Sequence, residues 1–98
     1  MSRDRRTQQQ DRDYGYGLVS DEAGNPVPGL TFNDANQEHA VLQWQGAADG
    51  SLEQQFPLGS RLRILPNHAC ATAAQHQRYV VLPASGESID CWERFNGW

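Results

Sequence analysis

Lysine is absent from this sequence, since its eight basic residues are all arginine. A chain without lysine cannot form a Schiff base through its own side chains. Long hydrophobic runs are absent as well, which excludes an ordinary membrane-spanning helix of about 20 apolar residues. The N-terminal residues are rich in Arg, Asp and Gln and show no apolar export signal. We therefore expect a cytoplasmic protein with no membrane partner.

Cysteine and positive charge are both scarce. In a reducing compartment we expect the two cysteines, Cys70 and Cys91, to remain free thiols.

The net charge of -4 opposes binding to nucleic acid, which depends on basic residues. An alternative function of a different class is base stacking on residues 14–17, Tyr-Gly-Tyr-Gly. Only Arg61 and Arg63 are available for the basic groove that this would need, so we expect no nucleic-acid partner.

The length of 98 residues allows one domain at most. Residues 1–13 contain Met1 as their only large apolar side chain, which is typical of a polar arm or of a remnant of a larger neighbouring domain. From Tyr14 onward, aromatic and branched residues alternate with glycine and turn residues. We therefore predict a polar N-terminal segment over 1–13 and a domain over 14–98.

Short strand patterns dominate the rest of the chain. We predict strands over 14–20, 30–32, 40–44, 61–65, 78–82 and 87–92, the first two forming a hairpin through the loop 21–29. Residues 51–56 are expected to pair back on the strand 40–44. The alanine-rich segment 69–77 allows a helical turn or two. Six short strands predict a mainly β fold, a small β-barrel or sandwich with at most one short helix.

His68-Ala69-Cys70 is the one compact group of metal-ligand type. In an extended backbone, residues two apart project to the same side, so an imidazole and a thiolate would converge on one metal. Two ligands are half of a structural zinc site, and the alternative interpretation is a surface histidine beside a small buried cysteine.

The residues around this pair carry a family resemblance. Residues 62–72, Leu-Arg-Ile-Leu-Pro-Asn-His-Ala-Cys-Ala-Thr, resemble a strand and Pro-Asn-His-x-Cys block in the C-terminal β domain of the D-threonine aldolase and D-serine dehydratase family. Further matching segments are 2–5, 14–17, 36–39, 78–81, 91–92 and 97–98. Ala40 replaces a more usual glycine and Arg6 a more usual small residue.

The resemblance implies a function. Members of this alanine racemase-like family carry pyridoxal phosphate on a lysine of an N-terminal (β/α)8-like barrel, and their C-terminal β domain contributes a metal site. His68 and Cys70 would then be the ligands of a divalent metal, zinc, manganese or cobalt. The implied substrate is a D-β-hydroxy amino acid, with retro-aldol cleavage favoured over dehydration. The chain alone would be inactive, its partner being the missing barrel domain, and a homodimer is possible.

His39 follows Glu38 in a segment that the resemblance also covers. It is the candidate catalytic residue, because histidine readily transfers protons at neutral pH. If both residues lay in a strand they would point to opposite faces and would not act as one unit. A stand-alone metal-binding or protein-interaction β module is the alternative that uses His68 and Cys70 without a cofactor.

Overall fold

The structure is a computed structural model, and it describes residues 11–46, 50–86, 88–95 and 97. Its elements are β1 (Gly17–Ser20), β2 (Leu30–Ala35), β3 (Ala40–Trp44), α1 (Leu52–Gln55), β4 (Arg63–Pro66), α2 (Ala69–Ala73), β5 (Arg78–Val81) and β6 (Asp90–Glu93). The predicted mainly β class with six short strands is confirmed. The chain divides into two compact units, Met1–Asn67 and His68–Trp98.

Several predictions from the sequence concern residues outside the described part. These residues are 1–10, 47–49, Glu87, Asn96 and Trp98. They include the matching segment 2–5, Arg6, most of the polar segment 1–13 and the start of the predicted strand 87–92. The boundary between residues 13 and 14 therefore stays a prediction.

Strand pairing differs from the predicted first hairpin. β1 pairs with β4 in antiparallel register, Gly17 opposite Pro66 and Ser20 opposite Arg63, while β2 pairs with β3. The turn after β1 is tighter than the sequence suggested, since the amide of Asp21 donates to Asn25 O at 2.8 Å. Residues 26 and 27 already lie back on β1. Residues 26 and 27 therefore already bond to this part of β1 before the chain reaches β2. The strand β2 pairs with β3, so the predicted hairpin of the first two strands is wrong.

The core lies in the first unit and is small. Its members are fully or almost fully buried: Val19, Leu30, Phe32 and Ala35. Leu62 and Ile64 pack against it while Leu65 is 53% exposed, the alternation expected of a strand with one buried face. Tyr16 meets Phe32 edge to face, with ring centroids 5.6 Å apart. The β1–β4 and β2–β3 pairs therefore share one core.

Residues 51–56 do not form the expected strand. Ser51 Oγ accepts from the amide of Gln54 at 3.3 Å, and Gln54 Oε1 accepts from the amide of Ser51 at 3.0 Å. This reciprocal arrangement is a capping box, and the Ser-x-x-Gln spacing is its sequence signature. It starts the helix α1. Phe56, at the end of that helix, packs on Trp44 with ring centroids 5.8 Å apart.

The second unit holds α2 and the β5–β6 hairpin. β5 and β6 are antiparallel, with Arg78 opposite Glu93 and Val81 opposite Asp90. Within the described ranges, the strands form three two-stranded sheets and no closed barrel. The chain also has two short helices there instead of one. No helix of the described residues is long and apolar enough to cross a membrane.

The turn after β1 supports a first prediction. Hydrogen bonds from Asn25 hold the pKa of Asp21 below its usual value, first through the side-chain amide at 3.1 Å and then through the backbone amide at 2.8 Å. Asn25→Ala removes the first donor, so we expect the pKa of Asp21 to rise. A carboxyl NMR titration measures it, with Asn33→Ala as the control that leaves Asp21 unchanged.

The sign of the effect on folding follows from the same shift. A carboxyl group whose folded pKa is depressed stabilises the fold above its unfolded pKa, and this contribution is lost as the pH falls through the folded pKa. The pH dependence that Asp21 contributes should therefore weaken in Asn25→Ala. An unchanged Asp21 titration in that variant would contradict the prediction.

Candidate metal centre

The segment before His68 is tied to the first strand region. Asn67 donates from its side-chain amide to Gly15 O at 2.8 Å, and its backbone amide donates to Tyr16 O at 3.3 Å. Gly15 in turn donates to a carboxylate oxygen of Asp13 at 2.7 Å. The Tyr-Gly-Tyr-Gly segment and the Pro-Asn pair, which the sequence offered as separate motifs, therefore contact each other and fix the chain up to residue 67.

His68 and Cys70 lie at the junction of a loop and a helix. His68 is extended, with φ -131° and ψ 112°, and is the N-cap residue of α2. The backbone becomes helical at Ala69, so Cys70 is the second residue of the helix. The helical turn predicted within 69–77 is confirmed, and the alternation that an extended backbone would give does not apply to this pair. His68 and Cys70 instead lie at the N-cap and in the first turn of one helix, two positions apart.

Both residues are accessible. His68 and Cys70 are exposed, and Cys70 is a free thiol, as is Cys91. The alternative interpretation of a small buried cysteine is therefore wrong. Cys70 borders a groove of about 410 Å³ whose walls come from the second unit: Ala69, Ala73, Tyr79, Arg94 and Gly97. An exposed thiol beside an open groove can meet a metal ion or another molecule.

The donor set decides what kind of metal this junction fits. Imidazole and thiolate are good ligands for zinc and cobalt. Within the described residues, no group of three or more His, Cys, Asp or Glu side chains is placed to hold an ion. Two donors do not fit a closed structural site. They fit a site whose remaining positions are filled by water, substrate or groups outside this chain.

Arg94 is a contact residue of this region that the sequence did not reveal. Its Nη1 donates to the carbonyls of Ala73 and, at 3.0 Å, His76, and its Nη2 donates to Gly97 O at 3.1 Å. The guanidinium also lies over the Tyr79 ring, 5.6 Å from the centroid. An arginine after a strand carries no sequence signal for such a role, because its partners at α2 and the following turn are 21 and 18 positions away.

His39 lies in the first unit, in the turn between β2 and β3. The strand β3 begins only at Ala40, and the amide of Asn36 donates to His39 O at 2.8 Å across the turn. His39 and Glu38 are exposed and border a polar depression of about 440 Å³ with Asn36 and Gln37. The argument from opposite strand faces therefore does not hold for this pair, because neither residue is in a strand.

Comparison with known proteins gives the family. Residues 1–82 match the model of the family described as "Putative serine dehydratase domain". The chain belongs to this family. The match covers the strand and Pro-Asn-His-x-Cys block on which the resemblance rests, and that resemblance is confirmed.

Two similar proteins match the whole chain, and a third matches most of it. D-threo-3-hydroxyaspartate dehydratase of Delftia sp. HT23 is 54% identical over 100% of this chain, and its solved structure superposes with a TM-score of 0.80. D-threonine aldolase of Arthrobacter sp. is 34% identical over 83% of this chain. An alanine racemase-like protein of Idiomarina loihiensis is 46% identical with a TM-score of 0.78. The chain spans about a quarter of their length, 26%, 21% and 25% respectively.

Two further structures of the dehydratase bear on the metal. One is a cysteine-to-alanine variant in the metal-free form, and another is a histidine-to-alanine variant. The substituted histidine precedes the substituted cysteine by two positions, the same spacing as His68 and Cys70. Both structures cover 100% of this chain, at 52% identity.

Proposed function

We propose that this chain is the metal-binding domain of a lyase that acts on D-β-hydroxy amino acids, with His68 and Cys70 as its protein ligands. The observation that carries the proposal is an exposed imidazole and an exposed thiol in the first turn of α2. The histidine and cysteine variants of D-threo-3-hydroxyaspartate dehydratase, with the same spacing, support the assignment. The softness of the thiolate favours zinc or cobalt over manganese.

Dehydration is the reaction that we favour. The sequence alone favoured retro-aldol cleavage, but the Delftia dehydratase is 54% identical to this chain and the Arthrobacter aldolase 34%. Both reactions break a bond at the β-carbon of a β-hydroxy amino acid, so they need the same recognition of the hydroxyl group. Retro-aldol cleavage remains the second candidate.

The residues of this chain would bind and orient the metal. A divalent metal would supply a Lewis acid for the substrate hydroxyl group. His68 and Cys70 would hold it, and the open groove next to Cys70 would leave room for water and substrate. The hydrogen bonds from Asn67 to Gly15 and Tyr16 fix the backbone that leads into His68. Correct placement of such a group matters, because small displacements lower catalytic rates strongly.

Pyridoxal phosphate does not fit this chain, which has no lysine to form an imine. We propose that the chain alone is inactive and that the cofactor belongs to a barrel domain outside it. Several apolar side chains of the second unit are strongly exposed, with Ile89 at 68% and Phe95 at 97%. Exposed apolar side chains are available for contact with another protein surface, which is compatible with the barrel domain, or a second copy, as partner.

His39 stays the proposed catalytic residue. Its exposed place in the turn between β2 and β3, beside Asn36 and Gln37, supports access to a polar ligand.

The metal ligands can be tested by anaerobic titration with cobalt(II). We expect the parent chain to give a thiolate-to-cobalt charge-transfer band in the near ultraviolet, since a cysteine thiolate is a cobalt ligand. The band should vanish in Cys70→Ser and in His68→Ala, because a single remaining donor does not hold the metal.

Cys91→Ser and His76→Ala are the matched controls, since each removes the same kind of donor from the same unit. Both should keep the band. A parent chain without a band, or a band that persists in Cys70→Ser and disappears in Cys91→Ser, would overturn the assignment.

A further inference from the structure

We infer that Arg94 is a positioning residue for the His68–Cys70 metal site: it fixes the helix that carries Cys70. This inference rests on the proposed function of that pair. Arg94 follows β6 and lies in the same compact unit as α2. Its guanidinium donates three hydrogen bonds to backbone carbonyls, those of Ala73, His76 and Gly97.

The helix α2 needs support from outside itself. It has five residues, and an isolated helix of that length is unstable in water because helix nucleation is costly. Its last residue, Ala73, and the following turn at His76 both present carbonyls to Arg94. A positive side chain at the C-terminal end of a helix satisfies free carbonyls and interacts favourably with the helix dipole. Arg94 therefore supplies what the short helix lacks.

Arg94 contacts Ala73, which lies about one helical turn after Cys70 in α2. The amide of Ala74, next to Ala73, donates to Cys70 O at 2.9 Å. Arg94 and Cys70 also border the same groove. If the end of α2 loosens, the Cys70 backbone loses its fixed orientation. The thiolate would then no longer be held at a fixed place relative to His68, and metal affinity would fall.

Arg94 is itself well oriented. Its backbone amide donates to Gln77 O at 3.3 Å, and its guanidinium lies over the Tyr79 ring of β5. Stacking on an aromatic ring leaves the planar edge of the guanidinium for carbonyl groups. Lysine has a single ammonium group and no planar edge. It can therefore replace only part of these contacts.

The test compares Arg94→Ala and Arg94→Lys with the parent in the cobalt(II) titration, with affinity measured by competition with a chelator. Substitution of a residue that hydrogen-bonds a metal ligand typically lowers metal affinity by about 10- to 100-fold. Arg94 contacts the helix and neither ligand directly, so we expect Arg94→Ala to lower the affinity by about 10-fold, the lower end of that range. Arg94→Lys should lose less. The charge-transfer band at saturating cobalt should shift in Arg94→Ala, which a loss of stability alone would not cause.

Arg78→Ala is the matched control, because it removes an exposed arginine from the same unit. It should bind cobalt as the parent does. Hydrogen exchange gives a readout without metal: the Ala74 amide should exchange faster in Arg94→Ala, while the amides of β5 and β6 stay protected. Loss of β5–β6 protection in both Arg94 variants would overturn the inference, since it assigns Arg94 to α2.

The outcomes separate the two proposals. A parent chain that binds cobalt, together with Arg94 variants of parental affinity, overturns the role of Arg94 and leaves His68 and Cys70 as ligands. A parent chain without the thiolate band overturns the proposed function, and with it the role of Arg94 in a metal site, whatever the exchange of Ala74.

Discussion

Phe32→Ala is expected to lower the free energy of unfolding of the first unit by about 3–5 kcal/mol. Phe32 is 0% exposed and belongs to a core that has four buried apolar members among the described residues. The neighbouring backbone cannot collapse freely into the cavity, because the Phe32 carbonyl accepts from the amide of Tyr16 at 3.0 Å. Domains of this size are stable by about 5–15 kcal/mol, so the variant should unfold at much lower urea concentration.

Urea denaturation followed by Trp44 fluorescence measures this effect, in a background with Trp92→Phe and Trp98→Phe. Trp44 packs beside the core and contacts Phe56. Phe95→Ala is the matched control: it is the same chemical change at a side chain that is 97% exposed. We expect it to alter stability by no more than about 0.5 kcal/mol. Equal losses in the two variants would contradict the core described above.

Local sequence signals predicted the strands better than their pairing. The predicted strand 61–65 largely coincides with β4 and its approach, where Leu62 and Ile64 pack against the core and Leu65 is exposed. The pairing of β1 with β4 joins segments more than 40 residues apart, and no local pattern specifies such a contact. The expected hairpin failed for a different reason, since the turn at Asp21–Asn25 already returns the chain to β1.

The segment 51–56 shows how two local signals compete. A turn signal before it favoured a strand that would pair back on β3. The Ser51 and Gln54 side chains instead satisfy each other's backbone amides, and this capping box was present in the sequence as Ser-x-x-Gln. Giving the capping-box signal of Ser51 and Gln54 more weight than the preceding turn signal would have predicted the helix α1.

The donor types, their spacing and the family resemblance led to the prediction that His68 and Cys70 form a metal site, and that assignment stays a prediction. The short helix that begins at Ala69 was predicted from the alanine-rich segment 69–77. Arg94 was missed altogether, because an arginine shows its partners only once the helix and the hairpin are folded. Residues of metal-ligand type can be recognised from a short stretch of sequence. The residues that hold such a stretch in place can lie far away in the sequence, as Arg94 does.

Gly15→Ala is expected to cost about 3 kcal/mol or more, since two penalties add at this position. The φ angle of Gly15 is +67°, in the left-handed region that disfavours a Cβ atom. A Cβ there would also lie 1.9 Å from Phe32 O, the oxygen that binds the Tyr16 amide. The backbones of β2 and of the segment before β1 would have to separate, which would break that hydrogen bond as well.

Two other glycines separate the penalties. Gly59 has φ +93° and no atom within 4 Å of a built Cβ, so Gly59→Ala tests backbone strain alone, about 1–2 kcal/mol. Gly17 lacks a positive φ, but its Cβ would meet Leu65 O at 2.6 Å, so Gly17→Ala tests the close approach of β1 to β4, about 1–3 kcal/mol. Urea denaturation should rank Gly15→Ala as the most destabilised of the three.

If Gly15→Ala were no worse than Gly59→Ala, the contact between the Tyr-Gly-Tyr-Gly segment and Phe32 would not restrict this position. The hydrogen bond from Asn67 to Gly15 O would then end on a backbone segment that can shift. It would not fix the backbone that leads into His68.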